Sequence, residues 1–463
     1  MYTRAETFRT GEAQPWYGHG YHAGESAAKD PVKAAGFYRA AAERGYGPAQ
    51  FQLGRLYAAG EGVEKDPVQA VAWYRKAAEQ DIEWAQYELG NSYRYGKGVE
   101  RDLAMAVQWY EAATESGNAA AQYQLGSLYL NGDGVEPDPA RAEQYYRAGL
   151  EWFRDQAEKG NAWAQYNLAE TYMHGHGVGP DPAKAMDLYR RSAEQGYGVA
   201  SYTLGRMYST GEGVDKDTAE AVRWYQAAAE QGNAAAQFAL GRSYDKGEGV
   251  AQDPATAVKW YRLAADQGNA WAEWALASHY RSGEGVGQDP NMAFEWFAKA
   301  AKQGNAAAQL ELAKAYDEGL GTDQDPDEAM IWYRSAAEQG DPWAQFKLAY
   351  LYRDGKVVSK DPSKAVEWFS KAAEQGNGPA QFELAKAYDQ GMGVERDVER
   401  AIVWYRKAAD QEIVPAQVKL GLIYEEGLGA EQDLMEAAKW YKKAADQGHA
   451  LAEERLRLLT GRI

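Results

Sequence analysis

Few residues in this 463-residue chain have the type and spacing to do chemistry. Its six histidines include His19 and His22, three apart, and His174 with His176 in the turn "MHGHG". Neither pair brings carboxylates at ligand spacing, so no metal centre is expected. The run Asp323, Asp325, Asp327 starts like a calcium loop, whose alternate positions supply oxygen ligands. Its sixth position is Glu328 instead of glycine and its twelfth is Arg334 instead of glutamate, so the match fails. Glycine-rich turns such as "GEGVEKDP" lack a following Lys-Ser/Thr pair and join helix to helix, which is no phosphate loop. Cysteine is absent, removing thiolate nucleophiles, thiolate metal ligands and disulfides together. No nucleophile–base grouping stands out, so neither catalysis nor a cofactor is expected. What remains is recognition chemistry. "NAWAEWALASHYRSGEGVGQDP" carries Trp271, Trp274 and Arg281, and the trio recurs as Trp84, Tyr87, Arg94 and as Trp343, Phe346, Arg353. A fourth copy has Trp163 and Tyr166, with Met173 in place of the arginine. Tryptophan with arginine is the composition of binding hot spots, and a guanidinium can stack on a ring while gripping a carboxylate with two hydrogen bonds.

These residues must be positioned by a repeated element. With Ala49 as marker, equivalents fall at Ala13, Ala85, Ala121, Ala164 and onward to Ala416, always 36 residues apart except for 43 between Ala121 and Ala164. The expected organisation is a leader (1–12), twelve tandem units and a capping helix (452–463). The units are 13–48, 49–84, 85–120, an extended 121–163, and eight of 36 residues from 164 to 451. Each unit reads as two helices. The first runs from the marker through Leu53 and Tyr57, an i, i+4 pair, and stops at a glycine present in all twelve units, Gly60 in this one. The second opens at an aspartate, again in all twelve, followed in eight by proline. Aspartate at the N-cap satisfies orphan amides and proline suits the first turn, worth about 1 kcal/mol per helix. Gly-Asn turns such as Gly117-Asn118 close the unit, with the asparagine placed to cap the next helix. Neither helix can bury its apolar stripe alone, so stacked neighbours must build the core. The fold class is all-α, an α-solenoid.

Composition narrows the partners. The net charge is −18, which disfavours nucleic acid and anionic membrane surfaces. No apolar run approaches the length of a membrane span, so no membrane insertion is expected. The start, "MYTRAETFRTGEAQPW", has no apolar core, so as written the expectation is cytoplasmic, or periplasmic if the start is processed or engineered. Pro15, Gly18 and Gly20 weaken the first helix of the first unit, predicting a frayed end.

The signature "AQxxLGxxYxxGxGVxxDPxxAxxWYxxAAxxG" resembles the Sel-one-like repeat (SLR) family, cousins of the tetratricopeptide repeats, over residues 13–459. The resemblance implies a right-handed superhelix of helix-turn-helix units, acting as an adaptor or scaffold, often bacterial, and sometimes neutralising a toxin. It implies no catalytic residues.

Helical phase then separates two faces. With Ala49 at zero, Leu53, Gly54 and Tyr57 cluster on the packed side, while Pro48, Phe51, Arg55 and Ala58 fall at roughly 180–260°. By resemblance to tetratricopeptide-like stacks, this second face lines a concave groove. Trp84, Tyr87, Arg94, Trp163, Tyr166, Trp271, Trp274, Arg281, Trp343, Phe346 and Arg353 all take those phases. Most units, though, carry Tyr or Phe at the Phe51 position, and for Tyr87, Tyr123, Tyr166, Tyr202, Phe238 and Phe382 packing against the adjacent first helix is the competing expectation. Ala120, Ala235 and Ala307 occupy the tryptophan position elsewhere, so a large ring is not needed there for folding. The expectation is a scaffold binding a protein segment in this groove. The alternatives are an immunity or inhibitor protein occluding a toxin or enzyme, and a cell-wall glycan bound on aromatic platforms. Nine other tryptophans, such as Trp73 and Trp440, occupy one regular second-helix position and are expected to pack between repeats. The seven extra residues of the long unit add about two helical turns carrying Trp152-Phe153, expected to protrude from the stack or bend it.

Overall fold

A computed structural model describes residues 30–461; the leader and the first helix of the first unit, with Trp16, His19 and His22, lie outside these residues. Among the described residues there are 24 helices and no strand. Contacts divide the chain into two compact units, one ending at Lys216 and the other beginning at Asp217. The first holds α1 (Pro31–Ala42), α2 (Gly47–Ala59), α3 (Pro67–Ala78), α4 (Glu83–Tyr95), α5 (Leu103–Glu115), α6 (Ala119–Asn131), α7 (Pro139–Glu158), α8 (Ala162–His174), α9 (Pro182–Glu194) and α10 (Gly198–Thr210). The second holds α11 (Thr218–Glu230), α12 (Ala234–Lys246), α13 (Pro254–Ala265), α14 (Ala270–Ser282), α15 (Pro290–Lys302), α16 (Ala306–Glu318), α17 (Pro326–Glu338) and α18 (Pro342–Asp354). It continues with α19 (Pro362–Glu374), α20 (Gly378–Gln390), α21 (Val398–Asp410), α22 (Val414–Glu426), α23 (Leu434–Ala445) and α24 (Ala450–Thr460).

Within each unit the helices pair as the repeat dictates. Asp66 caps α3 by accepting from the amides of Val68 and Gln69 at 3.0 Å, and each second helix starts on such an aspartate. Gly60 ends α2 in the left-handed region at φ 79, where a Cβ would clash. Asn118 caps α6, accepting from the Ala121 amide at 3.0 Å. First helices start two residues ahead of the marker, at Gly47 for Ala49, so the marker is buried inside the first turn.

A polar bond the periodicity did not single out joins successive helices. Gln50, beside the marker, is buried; its amide donates to the Ala42 carbonyl at 3.1 Å and its oxygen accepts from Gln80 at 2.8 Å. One side chain thus ties α1, α2 and α3. The same bonds recur at Gln165, Gln237, Gln309, Gln345, Gln381 and Gln417. Elsewhere the position departs from the pattern: Gln86 keeps only its bond to the Ala78 carbonyl, the Gln122 amide oxygen has no partner, and Ser201 and Glu273 replace the glutamine.

Apolar packing completes the joint. Tyr74 and Tyr110 lie over Gly54 and Gly90, where a Cβ would come within 2.7 Å of the ring. Trp73, Trp109 and Trp440, of the regular second-helix set, pack on the core of the preceding repeat. The second loop glycine presses on the start of the previous second helix: a Cβ on Gly98 would stand 2.1 Å from the Pro67 carbonyl oxygen.

The long unit departs from the first of its two expectations, protrusion. α7 does gain its two turns, but Trp152 and Phe153 do not project from the stack. Trp152 lies 6.3 Å from Trp84 and 6.0 Å from Trp163, and Phe153 lies 5.7 Å from Tyr123, so the insertion folds back onto rings of neighbouring repeats. Apolar rings bury area by packing on each other, which a protruding helix would forgo.

These contacts separate two kinds of glycine. Gly98→Ala combines a left-handed backbone with a backbone clash and is expected to cost about 2–5 kcal/mol. Gly117→Ala has the same sign of φ but open space, and is expected to cost about 1–2 kcal/mol. Urea denaturation of both variants checks the order; equal losses would refute the loop contact as a joint.

Candidate functional site

The four tryptophans singled out by phase share one address, the second residue of a first helix, in α4, α8, α14 and α18. Their surroundings differ. Trp271 is 55% exposed and Trp343 50%, each with its ring edge-on to the residue three further along. The separations are 6.2 Å to Trp274 and 5.9 Å to Phe346, at 82° and 89°. Trp274 and Phe346 are half-buried and brace the outer ring. Trp84 makes the same edge-on contact with Tyr87 but is half-buried under Trp152. Trp163 is half-buried against Trp152 and Phe153.

Tyr87 does not face an open groove. It is buried against Tyr110 at 5.8 Å, and burial pushes its hydroxyl pKa up. At its phase the ring falls in the seam between α4 and α5, where packing wins over exposure. Tyr166 is half-buried between Tyr189 and Tyr197.

The arginines are also not free to grip a ligand carboxylate. Arg94 donates to Gln124 and, at 3.2 Å, to Ser127. Arg281 pairs with Glu311, and Arg353 with Glu383 at 3.1 Å. Each partner lies 30 residues on for the ion pairs, and the same spacing joins Asp317 to Lys347 (3.5 Å), Asp389 to Lys419 (2.9 Å) and Glu425 to Arg455 (3.2 Å). The second unit therefore carries a ladder of ion pairs from one first helix to the next, with polarity that reverses along it. Lys314 and Lys386 add a second cation to Glu311 and Glu383. Half-exposed pairs of this kind are worth roughly 0–1 kcal/mol each, and they leave the face close to neutral.

The histidines and the acidic run serve the fold. His279 is buried, with Nε2 3.2 Å from Asp245 and Nδ1 2.8 Å from the Glu284 carbonyl. His176 stacks on Tyr146 at 4.5 Å, and desolvation lowers its pKa. His449 caps α24. Asp325 caps α17, accepting from the amides of Asp327 and Glu328. Among the described residues no three His, Asp or Glu side chains converge to hold a metal, and no helix is long and apolar enough to cross a membrane.

A model of the Sel1 repeat family matches twelve segments: 11–46, 47–82, 85–118, 119–151, 164–197, 198–233, 234–269, 272–305, 306–341, 344–377, 378–412 and 414–449. No curated protein matches the chain. Among solved structures, a protective antigen present in uropathogenic Escherichia coli strains and displaying an SLR fold is 38% identical. That match covers 93% of this chain and 91% of the other, with a TM-score of 0.64. A Sel1 repeat protein from Oxalobacter formigenes is 35% identical over 53% of this chain and 96% of its own, TM-score 0.47. An immunity protein from Pseudomonas aeruginosa is 22% identical over 46% and 81%, TM-score 0.30.

One position beside the exposed tryptophans breaks the buried glutamine pattern. Glu273 takes the place of Gln50 in α14; it accepts from Gln303 at 2.7 Å, but an ionised carboxylate cannot donate to the Ala265 carbonyl. Burial raises its pKa from 4.5, partly offset by the Gln303 hydrogen bond. A raised folded-state value means the native protein binds this proton more readily than the unfolded chain, so stability falls as pH rises from 4.5 through the folded value. Glu273→Gln is expected to abolish that fall and to gain about 1–3 kcal/mol at pH 7. Urea denaturation at acid and neutral pH measures both, and no gain at pH 7 would contradict the assignment.

Proposed function

The chain belongs to the Sel1 repeat family, whose members generally mediate protein–protein interaction, and on that premise we propose that it is a non-catalytic scaffold that docks a protein segment on Trp271 and Trp343. The observation that carries this reading is the exposure of both indoles at a position where Ala307, in the repeat between them, suffices for folding. Each ring is held in one orientation by the aromatic beneath it, so little freedom is lost on binding. Charged side chains around them already have partners in the chain, which favours an apolar or aromatic anchor in the ligand over a phosphate backbone. A toxin or enzyme held by this face would use the same rings.

The test replaces both tryptophans. Trp271→Ala and Trp343→Ala are each expected to change stability by no more than about 0.5 kcal/mol, as at ordinary surface positions. Each is expected to weaken a partner captured from the native host by about thirtyfold, the factor for a hot spot of about 2 kcal/mol. A melting temperature that collapses instead would assign the rings to the fold, and retention of the wild-type chain on cell-wall glycan without protein would favour the aromatic-platform reading.

A further inference from the structure

The ladder of the second unit shows what a glutamate three residues after the marker receives. Glu311 and Glu383 each take an arginine from 30 residues upstream, Arg281 and Arg353, and a lysine from three residues downstream, Lys314 and Lys386. In the first unit Glu88 holds the same place in α4. The residue 30 upstream is Ala58 and the residue three downstream is Asn91. The Glu88 carboxylate accepts from Asn91 at 3.2 Å, and among the described residues it makes no ion pair.

The missing side chain leaves space. Ala58 and Glu88 together line a cavity of about 350 Å³ and a second of about 670 Å³. The larger is walled by Tyr74, Tyr87, Tyr95 and Trp163, with Gln124, whose Oε1 already accepts from Arg94, in its lining. Arg55 and Lys97 approach without closing the gap: Arg55 turns to Gln52 at 3.5 Å, and Lys97 lies 5.5 Å from the Tyr95 ring. We propose that Glu88 and the aromatic wall around it form a binding slot for a guanidinium, supplied by an arginine side chain of a protein partner. The group would occupy the place that Arg281 and Arg353 fill in the second unit. Planar guanidinium suits both walls, since it pairs with a carboxylate through two hydrogen bonds and lies flat on aromatic faces. Desolvation raises the Glu88 carboxyl pKa, and the Asn91 hydrogen bond with the charges of Arg55 and Lys97 offsets only part of that rise. The slot is independent of the tryptophan pair in the other unit, so either assignment can fail alone.

The test uses the full chain and N-acetyl-arginine amide as probe, titrated by calorimetry or ligand-observed nuclear magnetic resonance. Saturable binding is expected, weakened about tenfold or more in Glu88→Gln and unchanged in Trp271→Ala. Ala58→Arg is expected to block the probe and raise the melting temperature, because an internal guanidinium then fills the slot. Absence of saturable binding, or equal affinity in Glu88→Gln, would overturn the proposal. Should Ala58→Arg fail to fold, the isosteric Glu88→Gln decides alone.

Discussion

In seven of the described repeats a glutamine amide bonded to both neighbours joins a first helix to what precedes and follows it. Gln50 and its counterparts reach a carbonyl of the preceding second helix and an amide of the following one, so three helices are fixed through one side chain. Unlike apolar packing, this joint is directional, because a buried amide must meet both its donor and its acceptor partner. Where it forms, it sets the rotation of the first helix about its axis. Once that rotation is set, the residues before the marker and those three, six and nine after it turn away from the joint. The face available for recognition is thus a consequence of a bond made on the other side of the helix.

That face is largely occupied by the chain's own chemistry. In the second unit its acids and bases pair from repeat to repeat, and Tyr261, Tyr333, Tyr405 and Tyr441 donate to the acids Asp245, Asp317, Asp389 and Glu425. On the readings proposed above, a partner would meet the two exposed indoles and, in the first unit, a carboxylate that makes no ion pair among the described residues. A stacked fold of near-identical units gains specificity in this way, by leaving gaps and protrusions in a pattern that is otherwise complete.

The sequence made the fold legible where a residue acts through its own backbone. Each Asp N-cap, the left-handed glycines and Asn118 do what their types require locally, and the period follows from counting. The site was half legible. Phase placed Trp271 and Trp343 correctly on an exposed face, but it treats one helix at a time. Tyr87 has almost the phase of an exposed residue, yet its ring reaches the neighbouring helix and is buried. Phase alone leaves Arg281 and Arg353 open to a ligand, because the glutamates that take them lie one repeat away. The 30-residue spacing of opposite charges was present in the chain, as Asp317 and Lys347 show, and pairing positions across repeats would have found it. Nothing local in "EQYYRAGLEWFRDQAEKG" tells that Trp152 turns back to meet Trp84 and Trp163; that depends on where two other repeats have put their rings.

Within the second unit, where most joints reuse the same glutamine bonds, the repeats act as graduations one whole unit apart. Trp271 and Trp343 stand two graduations apart, with Ala307 marking the one between. Copying or losing one unit between them would move the two marks by one full step while leaving every bond at the joints as it was. On the proposed reading, a chain with one unit more or fewer between the two rings would offer them to a ligand at a different spacing without needing a new interface.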